Sequence, residues 1–323
     1  MKSTVCVLFN HAFPKNIPVL RKIYKGRFDN VVFIQPLASS PNKDVITSYR
    51  GSYCFHGMIV DAARRLLKNP AADYYLFIHD DVLLNPRYDA EQLFTSLGIP
   101  EVGAFIPYIN PLGGDVNHWS WISSFLWKLF YPMNKFSGSG IQNLLQFFPD
   151  NKQTRKELEE KYKFKFSNIT YNRDITIHNS GVFGNNPYSD PTEQMILNGL
   201  FEKAYNSQIV SLPFPFFHGV SDFFVVDATT LEKMIPILGV MAAAQIFVEI
   251  AIPTALIITA QRVKRASEVG FKIDYRWGED RKLLDFEEIK NRFNEDLLFI
   301  HPVKLSKYQE QVLNTIGLLR SSK

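Results

Sequence analysis

Strand-like and helix-like segments alternate along the first third of the chain. Apolar runs rich in β-branched and aromatic residues occupy positions 4–9, 31–35 and 74–78. Between these runs, positions 17–24 and 55–67 carry apolar residues at the spacing of an amphipathic helix. Because strands that alternate with helices pair in parallel and are covered by the helices, the pattern predicts an α/β fold built on a mainly parallel sheet.

The segment 112–184 interrupts this pattern, and we interpret it as an insertion between residues 1–111 and 185–323. It contains an aromatic-rich run at 119–131, followed by a charged helical pattern at 154–163. Aromatic side chains with basic neighbours suit contact with a membrane interface. Packing of these side chains onto the main domain or onto a second subunit explains them equally well.

The regular pattern resumes after the insertion. In chain order, the whole sequence further predicts a strand at 102–107, a helix at 192–205, a strand at 221–227, a helical run at 234–260, strands at 271–277 and 297–303, and a helix at 306–319. The run 234–260 is nearly all apolar but contains Gln245 and Glu249, and a bare carboxylate at the centre of a bilayer costs about 3 kcal/mol. We therefore expect a buried helix lining a polar cleft rather than a membrane span.

Charge and cysteine content narrow the function classes. The formal net charge of +4, with acidic and basic residues mixed along 323 residues, argues against nucleic acid as the main partner and leaves anionic small molecules or membrane surfaces. Cys6 and Cys54 lie in apolar segments and are expected to be free, buried thiols. Because residues 1–10 lack the features of a secretion signal, we expect a cytoplasmic protein, either free or peripheral at a membrane.

The strand predicted at 74–78 runs directly into His79, Asp80 and Asp81. In open α/β sheets, ligands bind beyond the carboxyl ends of the strands, so an acidic turn at this position is where a site is expected. Two adjacent carboxylates repel each other unless they share a cation, and Mg²⁺ or Mn²⁺ prefers carboxylate oxygens while leaving room for a diphosphate and water. The alternative is that both side chains merely cap the turn before Pro86.

The stretch FIHDDVLLNP at 77–86 resembles the strand and acidic turn of the GT-A fold nucleotide-sugar-dependent glycosyltransferase superfamily, whose pattern is Asp-x-Asp or Asp-Asp-Asp. The resemblance implies a Rossmann-like GT-A fold carrying the aromatic-rich segment as an insertion. It also implies that Asp81 binds a metal ion and that Asp80 contacts the metal ion or a ribose. His79 departs from the family pattern, which leaves its role and the metal dependence open.

The same resemblance implies a donor site from several parts of the chain. Asn10 and His11, after the first strand, are expected at the base and ribose of a nucleotide, and Gly51 and Tyr53, before the second helix, are expected to face the same nucleotide. At the end of the last strand, His301 corresponds to a metal ligand and Lys304 to a diphosphate contact. Each residue also has a purely structural interpretation, such as capping or shaping a loop.

On the acceptor side, the resemblance implies that Glu249 is the catalytic base, since an apolar neighbourhood raises the pKa of a carboxyl group towards the range of a general base. Gln245, one helical turn earlier, and Asp222 are expected to bind acceptor hydroxyls, and Trp277 to stack on a sugar ring. The stretch 277–280 (WGED) offers a rival base. A structural buried glutamate is the alternative for Glu249.

The sequence thus predicts transfer of a sugar, with inversion, from a nucleoside diphosphate sugar to a hydroxyl of a glycan or glycolipid. A UDP-sugar is the favoured donor, with Mn²⁺ or Mg²⁺ as cofactor. Residues 1–111 would bind the donor, 185–323 the acceptor, and 112–184 a membrane or the acceptor. A nucleotidyltransferase is less favoured, because FNHAFPKN after the first strand is not a glycine-rich phosphate loop. A sugar-binding or scaffold protein without catalysis remains a second alternative.

Overall fold

The computed structural model describes residues 1–51, 54–68, 72–115, 145–170, 209–210, 212–276, 283–293 and 297–317. The chain forms two compact units. The first consists of Met1–Ile109, Gly219–Pro236 and Ala255–Lys323, and the second of Asn110–His218 and Ile237–Thr254. The predicted division at 112 and 184 remains a prediction.

Strands and helices are numbered separately in chain order within the described residues. The strands are β1 (Ser3–Leu8), β2 (Asn30–Pro36), β3 (Val45–Ser48), β4 (Tyr74–His79), β5 (Leu83–Leu84), β6 (Gly103–Phe105), β7 (Ile109–Pro111), β8 (Gly114–Asp115), β9 (Ile169–Thr170), β10 (Ile209–Val210), β11 (Phe217–Gly219), β12 (Phe223–Asp227), β13 (Arg262–Lys264), β14 (Lys272–Tyr275) and β15 (Leu297–His301). The helices are α1 (Asn16–Tyr24), α2 (Phe55–Leu66), α3 (Ala90–Leu97), α4 (Ile99–Val102), α5 (Asn151–Tyr162), α6 (Ala228–Ala243), α7 (Val248–Thr259), α8 (Ala266–Val269), α9 (Phe286–Arg292) and α10 (Glu310–Gly317).

The first unit is built on a seven-stranded sheet in the order β13-β6-β12-β4-β1-β2-β3. All neighbouring strands in it are parallel except at β12, which runs antiparallel to both β4 and β6. Every residue of β1 is buried, as expected for a central strand covered on both faces. The predicted α/β class, with a mainly parallel sheet flanked by helices, is confirmed.

The helices of the first unit follow from simple sequence features. In α2, the apolar residues Met58, Ile59 and Leu66 are all buried, so the predicted stripe is the face that packs inwards. In α3, the side chain of Asp89 caps the first turn and Gln92 completes a capping box, while Gly98 ends the helix with a φ of 66° that favours glycine. A second sheet, of three strands in the order β14-β15-β5, pairs two strands of the C-terminal segment with β5.

The second unit contains the three-stranded sheet β10-β9-β8, the helix α5 and the first part of helix α7, as far as Thr254. Its core includes the rings of Phe148, Phe214 and Phe216, whose centroids lie 4.9 to 6.0 Å apart. Thr254 of α7 accepts a hydrogen bond from the backbone N–H of Phe217 at 3.0 Å. These contacts give the second unit an apolar centre of its own.

The prediction of one continuous helix at 234–260 is wrong, because α6 ends at Ala243 and α7 begins at Val248. Gln245 lies in the turn between them with a φ of 54°. The N–H of Ile246 donates to the carbonyl of Met241 at 2.9 Å, and the N–H of Gln245 donates to that of Ala242 at 3.1 Å, which together form a Schellman helix end. Gln245 therefore does not lie one turn before Glu249 on the same helix.

Some sequence predictions fall on residues that the structure does not describe. They are the aromatic run 119–131, the helix at 192–205, and the site residues Tyr53 and Trp277. Cys6 and Cys54 are free thiols, as predicted, although Cys54 is only partly buried. In the described part of the chain, every helix is too short or too polar to cross a bilayer.

Candidate functional site

The acidic turn lies at the point where the strand order of the main sheet reverses. The chain moves outwards from β1 to β2 and β3 on one side and continues with β4 on the other. Such a switch point opens a crevice at the carboxyl ends of the two central strands, which is the general ligand site of open α/β sheets. Asn10 follows β1 here, and Asp80 and Asp81 follow β4.

Backbone hydrogen bonds fix the acidic turn in place. The N–H of Asp80 donates to the carbonyl of Leu8 at 2.9 Å, and that of Val82 donates to His79 at 3.1 Å. The N–H of Val303, just after β15, donates to the carbonyl of Asp81 at 2.6 Å. The two carboxylates are thus carried on a turn that is held by β1 and by the C-terminal segment.

Asp80 is buried, with 5% of its surface exposed. Its side chain accepts hydrogen bonds from the backbone N–H of Asn10 and from the amide of Asn16, both at 3.4 Å. Burial, followed by the neighbouring charge of Asp81, raises the pKa of Asp80 to about 7 despite these bonds. The surroundings of Asp80 therefore favour its neutral, protonated form more than water does, and a cation would be needed to favour the charged form.

Asp81 is also buried, and His301, the last residue of β15, and Lys304, three residues further on, lie beside it. Lys304 donates a hydrogen bond to Oδ2, while Nε2 of His301 lies 3.6 Å from Oδ1. Within the described residues, Oδ1 has no hydrogen-bond partner. Burial is the largest effect on His301 and lowers its pKa, although Asp222 and Asp81 act in the opposite direction, so a neutral imidazole is favoured.

A buried ion pair lies next to the acidic turn. Nδ1 of His79 is 2.6 Å from Oδ1 of Asp222, because the antiparallel register of β4 and β12 makes the two residues neighbours. Burial opposes charge on both, but Asp222 and the adjacent carboxylates raise the pKa of His79 overall, and the charge and hydrogen bond of His79 lower that of Asp222 to about 2. The hydroxyl of Tyr275 donates to the other oxygen of Asp222.

We expect Asp222→Ala to lower the free energy of unfolding by about 3–5 kcal/mol, because removing one partner of the buried pair deprives His79 of its hydrogen-bonded counterion and Tyr275 of its acceptor. Chemical denaturation monitored by circular dichroism measures this change. The matched control is Asp44→Ala, which breaks a partly exposed pair with Arg21 at 2.7 Å and should cost about 0–1 kcal/mol. Equal losses for the two variants would show that the His79–Asp222 pair does not stabilise the fold.

The structure brings a large part of the predicted site together. The residues gathered at this edge of the first unit are Asn10, Asp80, Asp81, Asp222, His301 and Lys304. His11 and Gly51 are exposed, and the space around Gly51 is open. Glu249, buried in the first turn of α7, and Gln245 belong to the second unit.

Sequence reasoning missed three features of the site. Asn16, the first residue of α1, holds Asp80, and Tyr275 contacts Asp222 and His301. The third feature is the pairing of His79 with Asp222. An antiparallel alignment of FIHDD at 77–81 with SDFFVVD at 221–227 would have placed those two side chains opposite each other, but nothing in the sequence indicated that alignment.

The described side chains include no group of three or more His, Cys, Asp and Glu arranged to enclose a metal ion by themselves. Two donors do suit a divalent cation: Oδ1 of Asp81, buried without a hydrogen-bond partner, and the imidazole of His301 beside it. Mg²⁺ and Mn²⁺ sites commonly take few protein ligands and fill the remaining positions with substrate phosphates and water. The residues present therefore fit a cation that is completed by its substrate.

Comparison with known proteins does not assign this chain to a family. No protein-family model matches the sequence, and no curated protein matches it. Among solved structures, the chain is similar to the X-ray structure of the mannosyltransferase Ktr4p from S. cerevisiae, with a TM-score of 0.33 and 10% sequence identity. The similarity covers 80% of this chain and 66% of that one, slightly less than two thirds. Because a likeness this remote carries no information about activity, the function has to be inferred from the site.

Proposed function

We propose that this chain is a glycosyltransferase that moves a sugar from a nucleoside diphosphate sugar, with UDP-sugars favoured, to a hydroxyl of a glycan or glycolipid. The observation that carries the proposal is the composition of the switch-point crevice. A buried carboxylate oxygen of Asp81 has no hydrogen-bond partner within the described residues, and His301 and Lys304 lie beside it. This combination suits a diphosphate together with Mn²⁺ or Mg²⁺.

Lys304 supports the binding of a diphosphate. Its ammonium group contacts Asp81, yet 36% of its side chain is exposed, so the group can also reach an anion in the crevice. A lysine presents a mobile point charge to phosphate oxygens. A divalent cation, when bound, would add neutralisation of the charge that develops on the departing diphosphate.

A pocket at the carboxyl end of β2 supports the binding of a nucleoside. It has a volume of about 220 Å³, and its walls include Pro14, Ile17 and Gln35. Gln35 is buried, its amide N–H donates to the carbonyl of Ala38 at 2.9 Å, and its Oε1 lacks a hydrogen-bond partner in the described part of the chain. Half of the lining residues are polar or charged, among them Arg21, and such a mixture of apolar surface and hydrogen-bonding groups suits a base together with its ribose.

On the acceptor side, we assign the role of general base to Glu249. Its carboxylate would take the proton of the acceptor hydroxyl as that oxygen attacks the anomeric carbon, while the bond to the diphosphate breaks on the opposite face. A single displacement of this kind inverts the anomeric configuration. Asp222, Gln245 and Trp277 remain predicted acceptor contacts, and both oxygens of Asp222 already have partners within the first unit.

Ligand screening by thermal unfolding tests this proposal. Nucleoside diphosphates and their sugars are added to the protein with and without Mn²⁺, and a ligand at a hundred times its Kd should stabilise the fold by about 2.7 kcal/mol. We expect UDP and a UDP-sugar to raise the unfolding midpoint, and to raise it more with Mn²⁺. If no nucleoside diphosphate or its sugar moves the midpoint under either condition, the proposal fails. Release of pyrophosphate from a nucleoside triphosphate would instead favour a nucleotidyltransferase.

A further inference from the structure

We infer that Tyr275 is a positioning residue, which orients the imidazole of His301 towards Asp81 and ties that pair to the ion pair of His79 and Asp222. The inference rests on the proposed function for its consequence, namely binding of a cation and a diphosphate. Its geometric part rests only on contacts within the first unit.

The first observation is the ring contact. Tyr275 and His301 are paired residues on the parallel strands β14 and β15. Their ring centroids lie 4.4 Å apart, with an angle of 22° between the planes, so the two rings are stacked. An imidazole stacked in this way cannot turn about its terminal side-chain bond without losing the contact, and that bond otherwise has broad torsional freedom.

The second observation is the hydroxyl contact. Tyr275 donates a hydrogen bond to Oδ2 of Asp222, whose Oδ1 pairs with His79. The tyrosine is thus held at its tip by a carboxylate that is itself fixed by a neighbouring strand. A ring anchored at its tip supports its stacking partner better than a ring that is free to move.

The third observation is the position of the oriented imidazole relative to Asp81. Nε2 of His301 lies 3.6 Å from Oδ1 of Asp81, and that oxygen has no hydrogen-bond partner within the described residues. Two donors 3.6 Å apart can contact one cation only if both point at it. Groups that orient a metal-binding histidine typically change metal affinity about 10–100-fold when they are removed.

Two variants separate the ring from the hydroxyl. Tyr275→Leu removes both contacts, and we expect it to weaken Mn²⁺-dependent binding of UDP about 10–100-fold in calorimetric titration, while binding of UDP without Mn²⁺ stays within about twofold. Tyr275→Phe keeps the ring and should lose less affinity than Tyr275→Leu. The matched control is Tyr308→Phe, which removes a buried hydrogen bond to Leu284 elsewhere in the same unit and should leave both affinities unchanged.

A second measurement needs no ligand. In proton NMR of the unliganded protein, the ring current of Tyr275 should displace the imidazole signals of His301 in the wild type and in Tyr275→Phe, and the displacement should vanish in Tyr275→Leu. His301→Gln assigns the signals.

The outcomes distinguish the inference from the proposed function. If the wild type binds Mn²⁺ and UDP together and folded Tyr275→Leu binds them equally well, the inference is overturned and the proposed function stands. If the wild type shows no Mn²⁺-dependent binding of UDP, the metal-dependent function fails, and NMR then decides the positioning role alone. His301 signals that are the same in Tyr275→Leu as in the wild type would overturn that role.

Discussion

Replacing Asp81 with asparagine is expected to lower the rate of sugar transfer about 10²–10³-fold and to abolish the Mn²⁺-dependent part of UDP binding. Asparagine keeps the shape of the side chain but removes its charge. The change therefore acts on the buried oxygen that faces His301 and on the partner of Lys304, without emptying space in the turn. Transfer kinetics and calorimetric titration of UDP with and without Mn²⁺ measure the two effects.

Asp73→Asn is the matched control for this experiment. Asp73 is an exposed carboxylate that accepts a hydrogen bond from the backbone N–H of Lys2 at 2.7 Å, and it precedes β4, at the opposite end of that strand from the acidic turn. Its loss should leave transfer and UDP binding unchanged within about twofold. If the Asp81→Asn variant is folded by circular dichroism and transfers sugar at the wild-type rate, the assignment of Asp81 to the donor site is wrong. The catalytic centre would then have to lie elsewhere.

The central sheet could be predicted from the sequence because its strands carry a strong local signal. The runs that became β1, β2 and β4 are continuous and apolar, and the stripe of α2 has an unambiguous helical period. Asp80 and Asp81 follow β4 directly, so the general rule for open α/β sheets placed them at a candidate site before any contact was known.

Short elements were harder to predict. Strand β3 (Val45–Ser48) has four residues, too few to establish a period of two. Helix α3 was also missed, although Asp89 and Gln92 supply the sequence pattern of a capping box. The turn at Gln245 was missed for a different reason, since an apolar helical run gives no local indication that one residue adopts a left-handed conformation.

The contacts between distant parts of the chain could not be predicted at all. The pairing of His79 with Asp222 depends on β12 inserting antiparallel between β4 and β6, and the stacking of Tyr275 on His301 depends on the register of β14 and β15. For β4 and β12 the sequence contains no signal for register, because both are apolar runs buried along nearly their whole length, and a run without alternation can slip by one residue without exposing apolar side chains. The sequence therefore indicated which residues belong to the site better than it indicated which residues contact one another there.

Replacing Glu249 with glutamine is expected to lower kcat about 10²–10⁴-fold, because an amide cannot take the proton of the acceptor hydroxyl. Binding of UDP with Mn²⁺ should be unchanged, because Glu249 takes part only in the proton transfer and is not among the donor contacts that we propose. Transfer kinetics, with the anomeric configuration of the product read by NMR, measure the first effect and check for inversion.

The matched control for Glu249→Gln is Glu232→Gln, on the exposed face of α6, which should keep the wild-type kcat. The buried position of Glu249 argues for a specific role, because burying a carboxylate, here with 6% of its surface exposed, costs desolvation free energy. A structural role would instead appear as a lowered unfolding midpoint with kcat preserved. In that case another carboxylate would have to be the base, and we would first replace the two acidic residues of the stretch 277–280. The base would again be identified by a loss of kcat at unchanged UDP affinity.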